Sequence, residues 1–291
     1  MSNPLPLLAV QAPPRDPARA VADMRLELLD LLADFPNTRL VAYPEYHTCR
    51  VSGTPAERAR QYEALAEPLD GERVSLLREL AAEAGVWLVP GTIVERGPEG
   101  ELFNTAIALS PQGECQAVYR KIFPWRPFEP FHPGTEFVTF ELDGRARVGL
   151  CICYDLWFPE VVRHLAWLGA ELVVCPFQTS TRDRAHELIL AQASAIQNQV
   201  FVLAVNAAAP VGTGQSILVD PQGIVRFQAP SEAAATLTDV IDLDAVALTR
   251  EYGTAGLNRL WAQVQPGDPA VPLPLYQGSI DARRWQLGKQ E

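Results

Sequence analysis

Val148-Gly149-Leu150-Cys151-Ile152-Cys153 is a nearly continuous apolar run, closed by Tyr154-Asp155 and followed by a stretch of helical period from Glu160 to Leu168. Two more such runs follow, Leu172 to Cys175 and Val200 to Val205, with the helical stretch Asp183 to Gln199 between them. Strands that do not alternate apolar with polar residues are buried on both faces. The three runs therefore predict the centre of a sheet covered on both sides, layered with the helices that separate them.

Toward the N-terminus the same pattern recurs. Leu5 to Val10 reads as a strand, and Ala18 to Ala33 as a helix with Val21, Met24, Leu28 and Leu32 on its apolar face. Leu40 to Tyr43 is the next strand. A helix carrying Val74, Leu77, Ala81 and Ala84 ends at Gly85, a natural C-terminal cap, before the strand Val86 to Val89. Leu102 to Leu109 and Cys115 to Tyr119 flank Ser110-Pro111-Gln112-Gly113, and Ile217 to Val219 and Ile224 to Phe227 flank Asp220-Pro221-Gln222-Gly223. Proline presets each turn and glycine relieves its exit, so both pairs read as hairpins. Each half thus holds βα units and one hairpin. This predicts two mixed sheets packed together with helices outside, a four-layer α-β-β-α sandwich. No linker separates the halves, so the expected organisation is one domain over residues 1–250. An extended arm over 251–291, Pro-rich from about Pro266 with Tyr276 and Trp285 as anchors, would pack on the same or a partner subunit.

The 291 residues carry a net charge of −11, from 24 Lys plus Arg against 35 Asp plus Glu, which offers no basic face for nucleic acid. The longest apolar stretch, Val200 to Val211, is broken by Asn206 and falls short of the ~20 residues that cross a bilayer. The first residues lack the basic and apolar regions of a signal peptide. Five cysteines, odd in number and scattered, fit reduced thiols in the cytoplasm. Neither HExxH nor paired CxxC, GxGxxG or a P-loop occurs, so no metal and no nucleotide cofactor is expected.

Reactive groups in α/β sheets gather at the carboxyl ends of strands. Three ends carry them here: Leu40 to Tyr43 runs into Pro44-Glu45, Cys115 to Tyr119 into Arg120-Lys121, and Val148 to Ile152 into Cys153-Tyr154-Asp155. The thiolate is the nucleophilic form of cysteine, and an ammonium together with a helix N-terminus near Pro159-Glu160 would lower its pKa from about 8.5 toward neutrality. Glu45 would shuttle the proton, while Lys121 and the backbone N–H of Tyr154 would hold an oxyanion. Cys49, Cys115, Cys151 and Cys175 read as small buried hydrophobes. His47 and His132, in loops near these ends, offer a competing Cys-His arrangement of the acyltransferase or peptidase kind. His164 and His186 fall in helical stretches and read as surface or satisfied core groups.

These residues resemble the nitrilase superfamily of carbon–nitrogen hydrolases. The resemblance rests on Tyr43-Pro44-Glu45, on Tyr119-Arg120-Lys121-Ile122, and on Gly149-Leu150-Cys151-Ile152-Cys153-Tyr154-Asp155 with Phe158-Pro159-Glu160. Gly169-Ala170-Glu171-Leu172, Ala195-Ile196-Gln197-Asn198-Gln199 and Asn206 extend it. It implies the sandwich inferred above and a catalytic Glu45, Lys121 and Cys153. A further active-site glutamate falls on Glu129, within a Lys-x-x-Pro-Trp-x-Pro-x-Glu pattern similar to that of aliphatic amidases. It implies no cofactor, and a homodimer or larger assembly. Trp157 stands where many members carry arginine, and Arg126 where aliphatic amidases carry cysteine. Carbamoyl amino acids therefore rank below small amides as expected substrates. Tyr46, Trp125, Arg126, Trp157, Phe177 and Gln178 are the substrate-binding candidates, with Arg126 or Arg182 as the cation for any anionic part of the substrate. The expected activity is hydrolysis of a small-molecule amide through a thioester, releasing ammonia or an amine. The alternatives are a nitrile or carbamoyl hydrolase using the same site, and a catalytically silent binding protein of this fold.

Overall fold

The computed structural model describes residues 2–280, 283–284 and 286–288; Trp285, one of the two expected anchors, lies outside them. The order begins β1 (Pro4–Gln11), α1 (Ala20–Asp34), β2 (Leu40–Ala42), α2 (Pro55–Leu65), α3 (Glu72–Ala84), β3 (Trp87–Val89), β4 (Thr92–Arg96), β5 (Leu102–Leu109) and β6 (Cys115–Arg120). It continues β7 (Val138–Leu142), β8 (Ala146–Leu150), a 3-10 turn (Cys153–Trp157), α4 (Pro159–Trp167), β9 (Leu172–Phe177), α5 (Arg184–Asn198) and β10 (Phe201–Asn206). The last elements are β11 (Ile217–Val219), β12 (Val225–Gln228), β13 (Ala235–Asp242), α6 (Asp244–Tyr252), and the strands β14 (Val271–Leu273) and β15 (Gly278–Ile280).

Two mixed sheets result. One runs β13-β1-β2-β3-β5-β4 with β6 also on β5; the other runs β12-β11-β10-β9-β8-β7. The period of two along β1 sorts its side chains between layers. Leu5, Leu7 and Ala9 join a core that also holds Val148, Leu150, Val174 and Leu203 of the second sheet. Leu8 and Val10 face the opposite way, into a separate core with Met24 and Leu28 of α1 and Val74, Leu77 and Ala81 of α3. On the far side of the second sheet, α4 packs Val161, Val162 and Leu165, and α5 packs Ala191 and Ala195. The layers are therefore helix, sheet, sheet, helix, as the three continuous apolar runs required.

Both hairpins form at the expected turns, with Gly113 at φ 77° and Gly223 at φ 85°, where only glycine is unstrained. Gly85 caps α3 at φ 67°, donating its N–H to the Ala81 carbonyl. Elsewhere the fold departs from the sequence reading. α2 is an additional helix, started by a capping box in which Thr54 and Glu57 each accept from the other's backbone N–H. β13 pairs antiparallel with β1 along its whole length, an edge the short apolar runs do not advertise. Cys115 is exposed rather than buried, because it sits where β6 leaves its hairpin turn. Past Tyr252 the chain is not simply extended: it makes 3-10 turns and the β14–β15 hairpin, with the Tyr276 hydroxyl bonded to Glu160.

Candidate active site

Three chain segments that leave parallel or antiparallel ladders converge where the two sheets meet. Glu45 follows β2; its N–H donates to the Phe177 carbonyl at the end of β9 (3.2 Å), and its Oε2 accepts from the Gln178 N–H (2.9 Å). The end of one sheet is thus bonded to the end of the other through one carboxylate. Gly91, at φ 89°, lies so close to the Pro44 carbonyl oxygen that a Cβ there would sit 1.8 Å from it. Lys121 leaves β6 with its N–H on the Asn104 carbonyl (2.9 Å). Cys153 opens the 3-10 turn at φ 46°, a conformation costly for a side chain with a Cβ and typical of functional turns. Asp155 fixes that turn to the Lys121 segment, accepting from the Ile152 N–H (2.9 Å), the Phe123 N–H (2.9 Å) and the Tyr119 hydroxyl (2.7 Å).

Charge is concentrated in this interior. Lys121 Nζ lies 3.1 Å from Glu45 Oε1 and 2.8 Å from Glu129 Oε2. Asn104 Nδ2 donates to Glu45 Oε1 (2.7 Å) and to the Tyr46 hydroxyl (2.7 Å), and that hydroxyl donates to Glu129 Oε1 (2.6 Å). Glu129 Oε2 also accepts the Trp125 N–H (2.6 Å). Burial favours the neutral form of Glu45 and outweighs Lys121, so its pKa rises to about 7. Burial also works against the Lys121 ammonium, but Glu129 and Glu45 overcome it and hold its pKa well above the usual value. Glu129, pushed upward by burial, is pulled below the carboxylate range by Lys121. The result is a fixed cation, a fixed anion and a carboxyl group poised near neutrality.

A cavity of about 170 Å³ is lined by Glu45, Tyr46, Lys121, Glu129, Cys153 and Gln178, so the three expected catalytic side chains and Glu129 share one chamber. A smaller pocket of about 40 Å³, which also touches Cys153, is lined by Tyr154, Thr179, Asp183 and Glu187. Glu187 is buried there, accepting from the Thr179 hydroxyl and from Arg184 Nη1 (3.1 Å). A larger cavity, about 520 Å³, lies between α4 and the C-terminal segment and contains none of these groups. Among the described residues, no group of three or more His, Cys, Asp or Glu is arranged to hold a metal ion. Among the described residues, no helix is long and apolar enough to cross a membrane.

Several expectations need correction. Burial first, and then the charge of Glu45, push the Cys153 thiol well above its usual pKa against the pull of Lys121. The resting group is a thiol, not the activated thiolate expected. It heads a short 3-10 turn, and α4 begins at Pro159, where the sequence placed its N-terminus. Of the substrate-binding candidates, Tyr46, Trp125 and Gln178 line the larger cavity. Arg126 does not: the turn that bonds the Phe128 and Glu129 N–H groups to the Trp125 carbonyl sends Glu129 inward and leaves Arg126 exposed. Arg182 is likewise exposed and lines neither pocket. Trp157 packs against the rings of Tyr154 and His186 and lines neither pocket at Cys153. Phe177 is a fully buried core residue, because strand alternation gives the cavity to Gln178.

The histidines are elsewhere. His47 is fully buried, bonded to Arg15 Nε (3.2 Å), and burial drives its pKa down to about 3. His132 is exposed near Phe103, and His164 and His186 pack on Phe137 and Trp157. None lines either pocket at Cys153. Sequence reasoning missed Asn104, whose signal was available: a lone amide inside the apolar strand β5 needs a partner. It also missed Arg58 and Tyr62 of α2, which line the larger cavity.

The carbon–nitrogen hydrolase family model matches residues 9–251. A formamidase from Bacillus anthracis is 34% identical over 178 residues, which is 60% of this chain and 52% of that protein. Saccharomyces cerevisiae Nit3, a member of branch 10 of the nitrilase superfamily, superposes with a TM-score of 0.76 at 26% identity, covering 85% of this chain and 93% of its own. A cysteine-to-alanine mutant of the amidase from Nesterenkonia AN1, also of the nitrilase superfamily, gives a TM-score of 0.68 at 27% identity, covering 85% and 94%.

Proposed function

The chain belongs to the carbon–nitrogen hydrolase family, and from that premise we propose that it hydrolyses a small-molecule amide with Cys153 as nucleophile. The observation that carries this reading is the single cavity onto which Cys153, Lys121 and a carboxyl group with a pKa of about 7 all open. A general base works best when its pKa lies near the operating pH. Glu45 takes the thiol proton as Sγ attacks the amide carbonyl, so no standing thiolate is needed. The oxyanion that develops is held by the Lys121 ammonium and the Tyr154 backbone N–H. Collapse of the tetrahedral intermediate breaks the C–N bond, and Glu45 returns the proton to the departing nitrogen. The acyl group is left as a thioester on Cys153. Glu45, again a carboxylate, then draws a proton from water, whose attack releases the acid and restores the thiol. Glu129 positions Lys121 and keeps it charged.

Support for an amide over other carbon–nitrogen substrates comes from the amidase and formamidase relatives and from the Glu129 loop. The test is a turnover screen over small aliphatic amides, nitriles and carbamoyl compounds. Ammonia or amine release fastest from amides is the expected result. Turnover of nitriles or carbamoyl compounds without amides would reassign the site.

A further inference from the structure

The cavity at Cys153 carries one charge that the hydrolytic steps leave unused. Arg58, in the first turn of α2, is half-buried and lines the chamber together with Ser52, Tyr62 and Phe128. The other buried or half-buried arginines among the described residues have their guanidinium groups on a carboxylate or a backbone carbonyl, from Arg15 on Glu27 to Arg184 on Glu187. At this depth the chain's other guanidinium groups have such a partner; that of Arg58 keeps contact with solvent instead. Arg58 has no such partner, although the chain offers 35 carboxylates against 24 basic side chains. Lys121, by contrast, is matched twice over by Glu45 and Glu129. After burial, the Tyr62 phenol feels the charges of Glu129 and Glu45, with Arg58 acting in the opposite sense. Arg58, Tyr62 and the catalytic carboxylates line one small chamber. The loop that brings Ser52 to the same wall is pinned to α2 by reciprocal bonds with Gln61 (3.1 and 2.7 Å).

We propose that Arg58 is the specificity-determining residue of this site and takes a carboxylate at the far end of the substrate, which makes the substrate a monoamide of a short dicarboxylic acid. The planar guanidinium fork fits a carboxylate with two parallel hydrogen bonds. The substrate's own anion supplies the partner that the protein withholds. This rests on the amide hydrolase reading above and adds the identity of the acyl end.

The experiment compares succinamate with butyramide, and glutaramate with pentanamide, each pair matched in length. Wild-type enzyme should prefer the carboxylated amide by at least tenfold in kcat/KM. Arg58→Met should erase most of that preference, mainly through KM, and Arg58→Lys should restore part of it. Equal or better turnover of the neutral amides by wild type, or a preference that survives Arg58→Met, overturns the proposal while leaving amide hydrolysis standing. Binding of the same compounds to Cys153→Ala protein, by calorimetry, separates the two readings further. Carboxylate preference lost on adding Arg58→Met supports the Arg58 site even if no amide is turned over. Equal binding of the charged and neutral members of each pair refutes it.

Discussion

Lys121 Nζ and Glu45 Oε1 form a 3.1 Å ion pair in which both side chains are almost completely withdrawn from water. Two desolvated charges are tolerated only where further hydrogen bonds and opposite charges complete the set, and here Asn104, Gln178 and Glu129 do so. Lys121→Met leaves two buried carboxylates without their cation. Stability should fall by about 3–5 kcal/mol, the usual cost of orphaning a buried charge. Urea unfolding measures that loss, and activity should fall with it.

The pH dependence follows from Glu45. As a base it must be ionised, so kcat/KM should rise with pH through an apparent pKa of about 7. Stability should move the opposite way. A carboxyl group whose folded pKa is raised contributes stability that is fully present below its unfolded value of 4.5 and is lost as pH rises through about 7. Urea midpoints between pH 4.5 and 8 should show that decline in the wild type and a flatter profile in Glu45→Gln.

Asn104 donates to Glu45 and so favours its charged form. Asn104→Leu removes that bond without adding charge. The limb of the pH–rate profile assigned to Glu45 should shift upward by about one unit, equivalent to ~1.4 kcal/mol. An unchanged profile would separate Glu45 from the titration.

Gly91→Ala tests how Glu45 is held. The new methyl group would collide with the Pro44 carbonyl oxygen at 1.8 Å, and φ 89° adds its own strain. Overpacking of this kind costs about 3 kcal/mol. It should displace Glu45, lowering kcat more than thermal stability alone explains at a temperature where the variant remains folded.

Much of this was legible in the chain. Val148 to Ile152, Leu172 to Cys175 and Val200 to Val205 announced a doubly covered sheet, because burial on both faces leaves no alternation. The ends of three strands announced Glu45, Lys121 and Cys153. What stayed hidden depended on partners remote in sequence. The Cys153 thiol lies high rather than low because burial and Glu45 outweigh Lys121, a balance that no local pattern encodes. Arg126 and Arg58 were indistinguishable as arginines in loops or helices; only the Trp125 turn and the placement of α2 put one outside the chamber and the other on its wall. The Thr54-Pro55-Ala56-Glu57 capping box did signal α2, and reading it would have drawn attention to Arg58.

The account turns on a covalent acyl group at one sulfur. Intact-protein mass spectrometry of enzyme quenched during amide turnover, followed by peptide mapping, tests it most directly. A mass increase equal to the acyl group, located on Cys153 and absent in Cys153→Ala protein that no longer turns over substrate, is the predicted result. Undiminished turnover by Cys153→Ala, or an acyl group found on another residue, would contradict it.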